Sequence, residues 1–196
     1  MKCILSHWFV IVSLVFTVVT CGRLTPLQMD GRKSPPYEVV APADIHRGDG
    51  VPRPTGEIVL TLFGAITAQN VDDALAFDME TLERLGLVRY EVHDPWLDAE
   101  VTYTGVLMSD LLDVARPSAS ATVIRVVALD DYEVDVEVAD VWKWPILLAT
   151  QADGEYMSVA NGGPTRIVFP YDDFPEIDQV DTRNLWVWNV ERMEVR

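Results

Sequence analysis

Apolar and polar residues alternate with a period of two along Leu87–His93. They do so again along Tyr132–Val138, where Val134, Val136 and Val138 oppose Glu133, Asp135 and Glu137. That period sends successive side chains to opposite faces, so both segments are predicted strands, the second with one wet face. Short apolar runs over Glu57–Gly64 (EIVLTLFG), Thr122–Leu129 (TVIRVVAL) and Thr165–Pro170 (TRIVFP) read as further strands, as does the closing stretch Leu185–Val195. Asp153-Gly154, between ILLAT and EYMSV, marks a tight hairpin because both residue types tolerate positive φ. Two segments instead follow the helical period. Phe77–Leu85 is predicted to start at Asp78 as N-cap, bury Leu82 and Leu85, and stop at Gly86. Leu107–Ala115 places Leu107, Leu111, Leu112 and Ala115 on one face with Ser109 and Asp110 outward. Many strands, two or three helices between them and no regular βαβ alternation predict an α+β fold with mixed sheets.

The first 21 residues do not follow this pattern. After Lys2 an almost unbroken apolar run extends to Val19, which reads as a secretory signal or short anchor rather than as part of the fold. Val18-Val19-Thr20-Cys21 resembles a bacterial lipobox, with Thr20 where a small Gly, Ala or Ser is usual. Lipidation at Cys21, ordinary cleavage and an uncleaved anchor all remain open. Each exports the domain to the periplasm or cell envelope, and lipidation or anchoring tethers it to the membrane through the N-terminus. Residues 22–56 carry six prolines and several glycines, which disfavour a helix or central strand and predict a tether that wraps the domain surface. The folded domain is expected over residues 57–196.

Composition then removes several functions. A formal charge of -16 excludes the clustered Lys and Arg that nucleic acid requires. The acidic pairs Asp72-Asp73 and Asp172-Asp173 lack the ligand spacing of a calcium loop and read as solvated turns. Cysteine occurs only at positions 3 and 21, inside or at the end of the export signal. The domain therefore has no disulfide, thiol nucleophile or thiolate ligand of its own. No nucleophile elbow, phosphate loop or zinc helix is present in the sequence.

Four phrases carry a resemblance. YTGVLMSDLL from Tyr103, ALDDYEVDV from Ala128, ILLATQADGEYMSVANGGPTRIVFP from Ile146 and LWVWNVERMEV from Leu185 occur in order. Together they resemble the oxidoreductase molybdopterin-binding domain of the sulfite oxidase family, over roughly Glu57–Val195. Asp131 stands where that family has Gly. The resemblance implies a molybdopterin cofactor and a site built from His93, Trp96, Tyr132, Asn161, Gly162, Gly163 and Arg166. Tyr103 is expected to help frame the same cleft. Gly162 and Gly163 would let backbone approach a bulky ligand or adopt positive φ. Arg166 would offer its fork of donors to a pterin phosphate or to an acidic side chain.

The same resemblance implies a Cys thiolate on molybdenum, four residues before Trp96, where this chain has Val92. His93 is the nearest side chain able to ligate a metal. Two readings follow: a noncatalytic relative that binds or senses a small molecule, or an active oxidoreductase on a small oxidised or oxyanion substrate without a Cys ligand. Trp142, Trp144, Trp186 and Trp188 are expected to be structural or interfacial. The Trp142-Lys143-Trp144-Pro145 segment offers an aromatic lip for an envelope protein partner.

Overall fold

Asp78 shows how local sequence sets the start of an element. The computed structural model describes residues 35–177 and 182–196, so the expected export signal with Cys3 and Cys21, and the first part of the expected tether, lie outside the described residues. Asp78 ends strand β3 (Leu75–Asp78) and caps helix α1 (Met79–Glu83); its carboxylate accepts from Thr81 N while Thr81 Oγ1 returns to the Asp78 backbone, a full capping box. The same carboxylate accepts the amides of Thr55 and Gly56 at 2.9 and 2.8 Å, which ties the chain's approach to β2 onto the helix start. These bonds hold its pKa far below the ordinary carboxylate value, the Thr81 hydroxyl contributing most.

The remaining strands are β1 (Glu38–Ala41), β2 (Ile58–Gly64), β4 (Leu87–Asp94), β5 (Ala99–Leu107), β6 (Val123–Ala128), β7 (Glu133–Glu137), β8 (Leu147–Ala152), β9 (Glu155–Tyr156), β10 (Arg166–Val168) and β11 (Val190–Val195). Helices α2 (Met108–Ala115) and α3 (Val138–Lys143) complete the set. One sheet runs β1-β4-β5-β8-β10, with β9 hairpinned on β8, and its pairs are antiparallel. The other runs β3-β2-β11-β6-β7; its β2–β11 pair is parallel, so this sheet is mixed. One buried cluster joins them, drawing Leu60, Leu62 and Phe77 from the second sheet and Val92, Tyr103, Val106 and Leu148 from the first, with Leu111 and Leu112 of α2. Each such side chain contributes roughly 1.5–3 kcal/mol on burial.

Several boundaries differ from expectation: Val138, predicted to end a strand, opens helix α3, and α1 ends at Glu83 rather than Leu85. The compact unit starts at Pro35 rather than Glu57: β1 pairs with β4, Ile45 is buried, and the amides of Asp44 and Ile45 donate to the Arg84 carbonyl. Proline density misled here because an edge strand has only one set of ladder bonds to satisfy and tolerates flanking Pro42. The closing strand starts at Val190 rather than Leu185, since Arg183–Leu185 form a 3₁₀ turn ahead of it. The Asp153-Gly154 hairpin forms as expected, with φ 51° and 83°. Among the described residues no helix is long and apolar enough to cross a membrane.

Candidate functional site

The pleat of β4 decides which of the candidate side chains meet. Val88, Tyr90, Val92 and Asp94 are buried on one face while Arg89, Glu91 and His93 are exposed on the other. His93 is thereby separated from the inward residues. Its ring meets Glu100 at 3.2 Å and Asp98 at 3.4 Å, and its amide donates to Asp172. The sequence reading grouped it with Trp96 and Arg166; the two-residue period of the strand turns it away from Asp94 and its partners.

Asp94, one residue beyond the predicted strand Leu87–His93, is the centre of the buried polar structure. It is fully buried and its two oxygens accept four hydrogen bonds: Tyr103 Oη and Arg166 Nη2 at 2.6 Å each, and the amides of Trp96 and Leu97 at 2.7 and 3.0 Å. The two amide bonds fold the chain back directly after the strand, in the manner of an Asx turn. Arg166, first residue of β10, is only 2% exposed, and its guanidinium carbon lies 4.4 Å from the Trp188 ring, 5.2 Å from Tyr103 and 5.7 Å from Trp186. Burial lowers the Arg166 pKa, with Tyr103 and Asp94 opposing the shift. Arginine stays charged under such a shift. Burial, followed by the hydrogen bond to Asp94, pushes the Tyr103 phenol well above its usual range, so it remains a neutral donor.

Two neighbouring clefts share Trp188. The first, about 470 Å³, is lined by Trp96, Tyr132, Trp186 and Trp188 with Asp130, Asn184 and Asn189. The second, about 340 Å³, takes Tyr103, Tyr156, Asn161 and Arg166 with Glu155. The structure thus places Trp96 and Tyr132 in one cleft, Asn161 and Arg166 in the other, and His93 in neither lining. Tyr132 is held by its hydroxyl, which donates to the Asn184 carbonyl at 3.0 Å, while Arg183 lies 4.6 Å over Trp96 and donates to the Pro95 carbonyl.

The glycine pair is packed against protein. Gly162 has φ 83°, as expected, but a Cβ there would meet the Trp188 indole at 3.2 Å; at Gly163 it would lie 2.2 Å from the Met157 carbonyl oxygen. A side chain at either position would thus collide with Trp188 or with the Met157 backbone. Trp186 and Trp188, read from sequence as structural or interfacial, line the clefts from the irregular stretch between the 3₁₀ turn and β11. Asp94 had a sequence signal, because it continues the inward register of Val88, Tyr90 and Val92.

The family described as "Oxidoreductase molybdopterin binding domain" matches residues 69–172, more than half of the 196. No curated protein matches the sequence. Among solved structures, the sulfane dehydrogenase SoxCD from Paracoccus pantotrophus is similar, with a TM-score of 0.53 at 19% identity over 69% of this chain. The chain spans 37% of that structure's length, and at this identity the likeness shows the fold. By the family match over most of β3 to β10, with a sulfite-oxidase-like fold around it, the chain belongs to the oxidoreductase molybdopterin-binding domain family.

Proposed function

We propose that this domain is a noncatalytic member of the family, exported and held at the membrane by its N-terminus, which uses the inherited scaffold to bind or sense a small molecule. The observation that carries the reading is the donor set. Val92, at the position where the resemblance implies the molybdenum thiolate, is apolar, fully buried and faces the core. Among the described residues no group of three His, Cys, Asp or Glu is arranged to hold a metal ion, and both cysteines precede residue 22. His93 faces away from this core and already has two carboxylate neighbours.

The pterin phosphate fits no better. Arg166, its expected partner, is neutralised by Asp94 at 2.6 Å, and Glu155 shares its cleft. A phosphate entering there would meet a cation already matched by an internal anion, losing the attraction that would offset its desolvation. These residues do not fit a molybdopterin cofactor. What persists is a pair of preformed clefts of small-molecule size.

The test is the metal and pterin content of the domain after expression in a cofactor-producing host. Folded protein without stoichiometric molybdenum or pterin is the expected result. Stoichiometric loading would overturn the reading in favour of an active oxidoreductase that lacks a Cys ligand. Labelling of wild type and Cys21→Ala with a radioactive fatty acid tests the tether: lipidation predicts label on the wild type alone, in protein that fractionates with the membrane. Trp142, half exposed on α3, and Lys143, stacked on Trp144 at 4.2 Å, supply the proposed lip for an envelope partner.

A further inference from the structure

The first cleft carries a chemistry unlike that of an anion site. Four aromatic side chains form its walls, Trp96 and Tyr132 are each nearly half exposed, and Asp130 is its one charged lining residue among the described residues. We propose that this cleft binds a small organic cation of the quaternary ammonium class, which deepens the noncatalytic reading above and rests on it.

Aromatic faces carry the negative part of the ring quadrupole and attract a cation held within about 6 Å, most strongly when water is excluded. That these rings attract cations is seen within the chain, where Arg183 lies 4.6 Å over Trp96 and Arg166 lies 4.4 Å over Trp188; a ligand cation shares those two rings with a guanidinium and relies on Tyr132 and on the Asp130 carboxylate to offset the added positive charge. Asp130 supplies a counter-charge at the wall, and a chain of formal charge -16 raises the local concentration of cations over anions. A quaternary ammonium suits the site better than a metal ion or a primary amine. It needs no lone-pair ligands, whereas those cations are strongly hydrated and demand oxygen or nitrogen partners.

The walls are set before any ligand arrives. The Tyr132 hydroxyl is anchored on the Asn184 carbonyl, and Asn189 Nδ2 donates to the carbonyls of Val159 and Gly163. Such preorganisation lowers the ordering cost of binding. The volume of about 470 Å³ leaves room for substituents beyond the ammonium head.

The inference is tested by isothermal titration of the purified domain with choline and tetramethylammonium, against 3,3-dimethylbutan-1-ol as the uncharged isostere of choline. Saturable binding of both cations, without binding of the alcohol, is expected. Trp96→Ala should weaken it roughly tenfold and Asp130→Asn severalfold, while Val40→Ala on β1 leaves it unchanged. Trp96 and Asp130 are exposed, so these variants are expected to fold, which their circular dichroism checks. Equal binding of the alcohol, or no saturable binding of choline, overturns the assignment. Stoichiometric pterin in the preparation would remove the underlying reading instead. A pterin-free domain that ignores choline would remove the cation assignment alone.

Discussion

Replacing Asp94 by Ala removes the acceptor of four hydrogen bonds and strands Arg166 at 2% exposure. Breaking a buried ion pair from one side costs about 3–5 kcal/mol, because the remaining charge is left without water or partner. Arg166 is ill placed to recover: its Nε already has no hydrogen-bond partner among the described residues, and three aromatic rings surround the guanidinium. Against a typical total of about 5–15 kcal/mol, the loss takes about a fifth of the stability or more. Arg166→Met should cost somewhat less, since Asp94 keeps Tyr103 and two amides. The double variant should cost less than the sum of the singles by about 1–3 kcal/mol, because neither charge is then orphaned. Urea unfolding followed by tryptophan fluorescence, with the denaturant slope unchanged, supplies all three values. Added formate should restore part of the loss in Asp94→Ala and none in wild type, where the internal carboxylate occupies the guanidinium. A cost below about 1 kcal/mol for Asp94→Ala, or additive single costs, would refute the pairing as the organiser of this region.

Other substitutions probe separate links. Asp78→Asn should destabilise by about 1–3 kcal/mol near neutral pH, through the cap and the Thr55 and Gly56 amides. Because the folded carboxyl binds protons more weakly than the unfolded one, its contribution is full above about pH 5. It fades as pH falls below about 4, so wild type and variant should converge in acid denaturation. Gly163→Ala places a methyl 2.2 Å from the Met157 carbonyl and should cost at least about 2 kcal/mol in the same urea assay. Arg116 ends α2 at φ 53°, where glycine is favoured, so Arg116→Gly should gain about 0.5–1 kcal/mol and raise the melting temperature by a few degrees.

Features governed by neighbours in sequence were legible. The Asp78 cap, the Asp153-Gly154 hairpin and the alternation of Val134 and Val136 against Glu133 and Asp135 need only local chemistry, and each forms. The family's phrases likewise identified the α+β fold, because their glycines and strands report backbone geometry. Asp94 falls outside the strand predicted from alternation because a carboxylate before proline resembles a loop residue, and its partner Arg166 is 72 positions away. His93 was drawn toward the site by its chemistry, while the pleat that turns it outward was already present in Leu87–His93. Trp188 was set aside because sequence cannot say which ring a distant guanidinium or glycine will contact. Strand order was illegible for the same reason: periodicity reports a face, never a partner.

Strand β11 lies between β2 and β6, joined to the first in parallel and to the second antiparallel. The β3-β2 half and the β6-β7 half of that sheet therefore stay unjoined until residues 190–195 are available. A chain delivered from its N-terminus by a ribosome must emerge through residue 195 before this sheet can close. The late strand thus couples completion of the fold to release of the C-terminal residues from the ribosome.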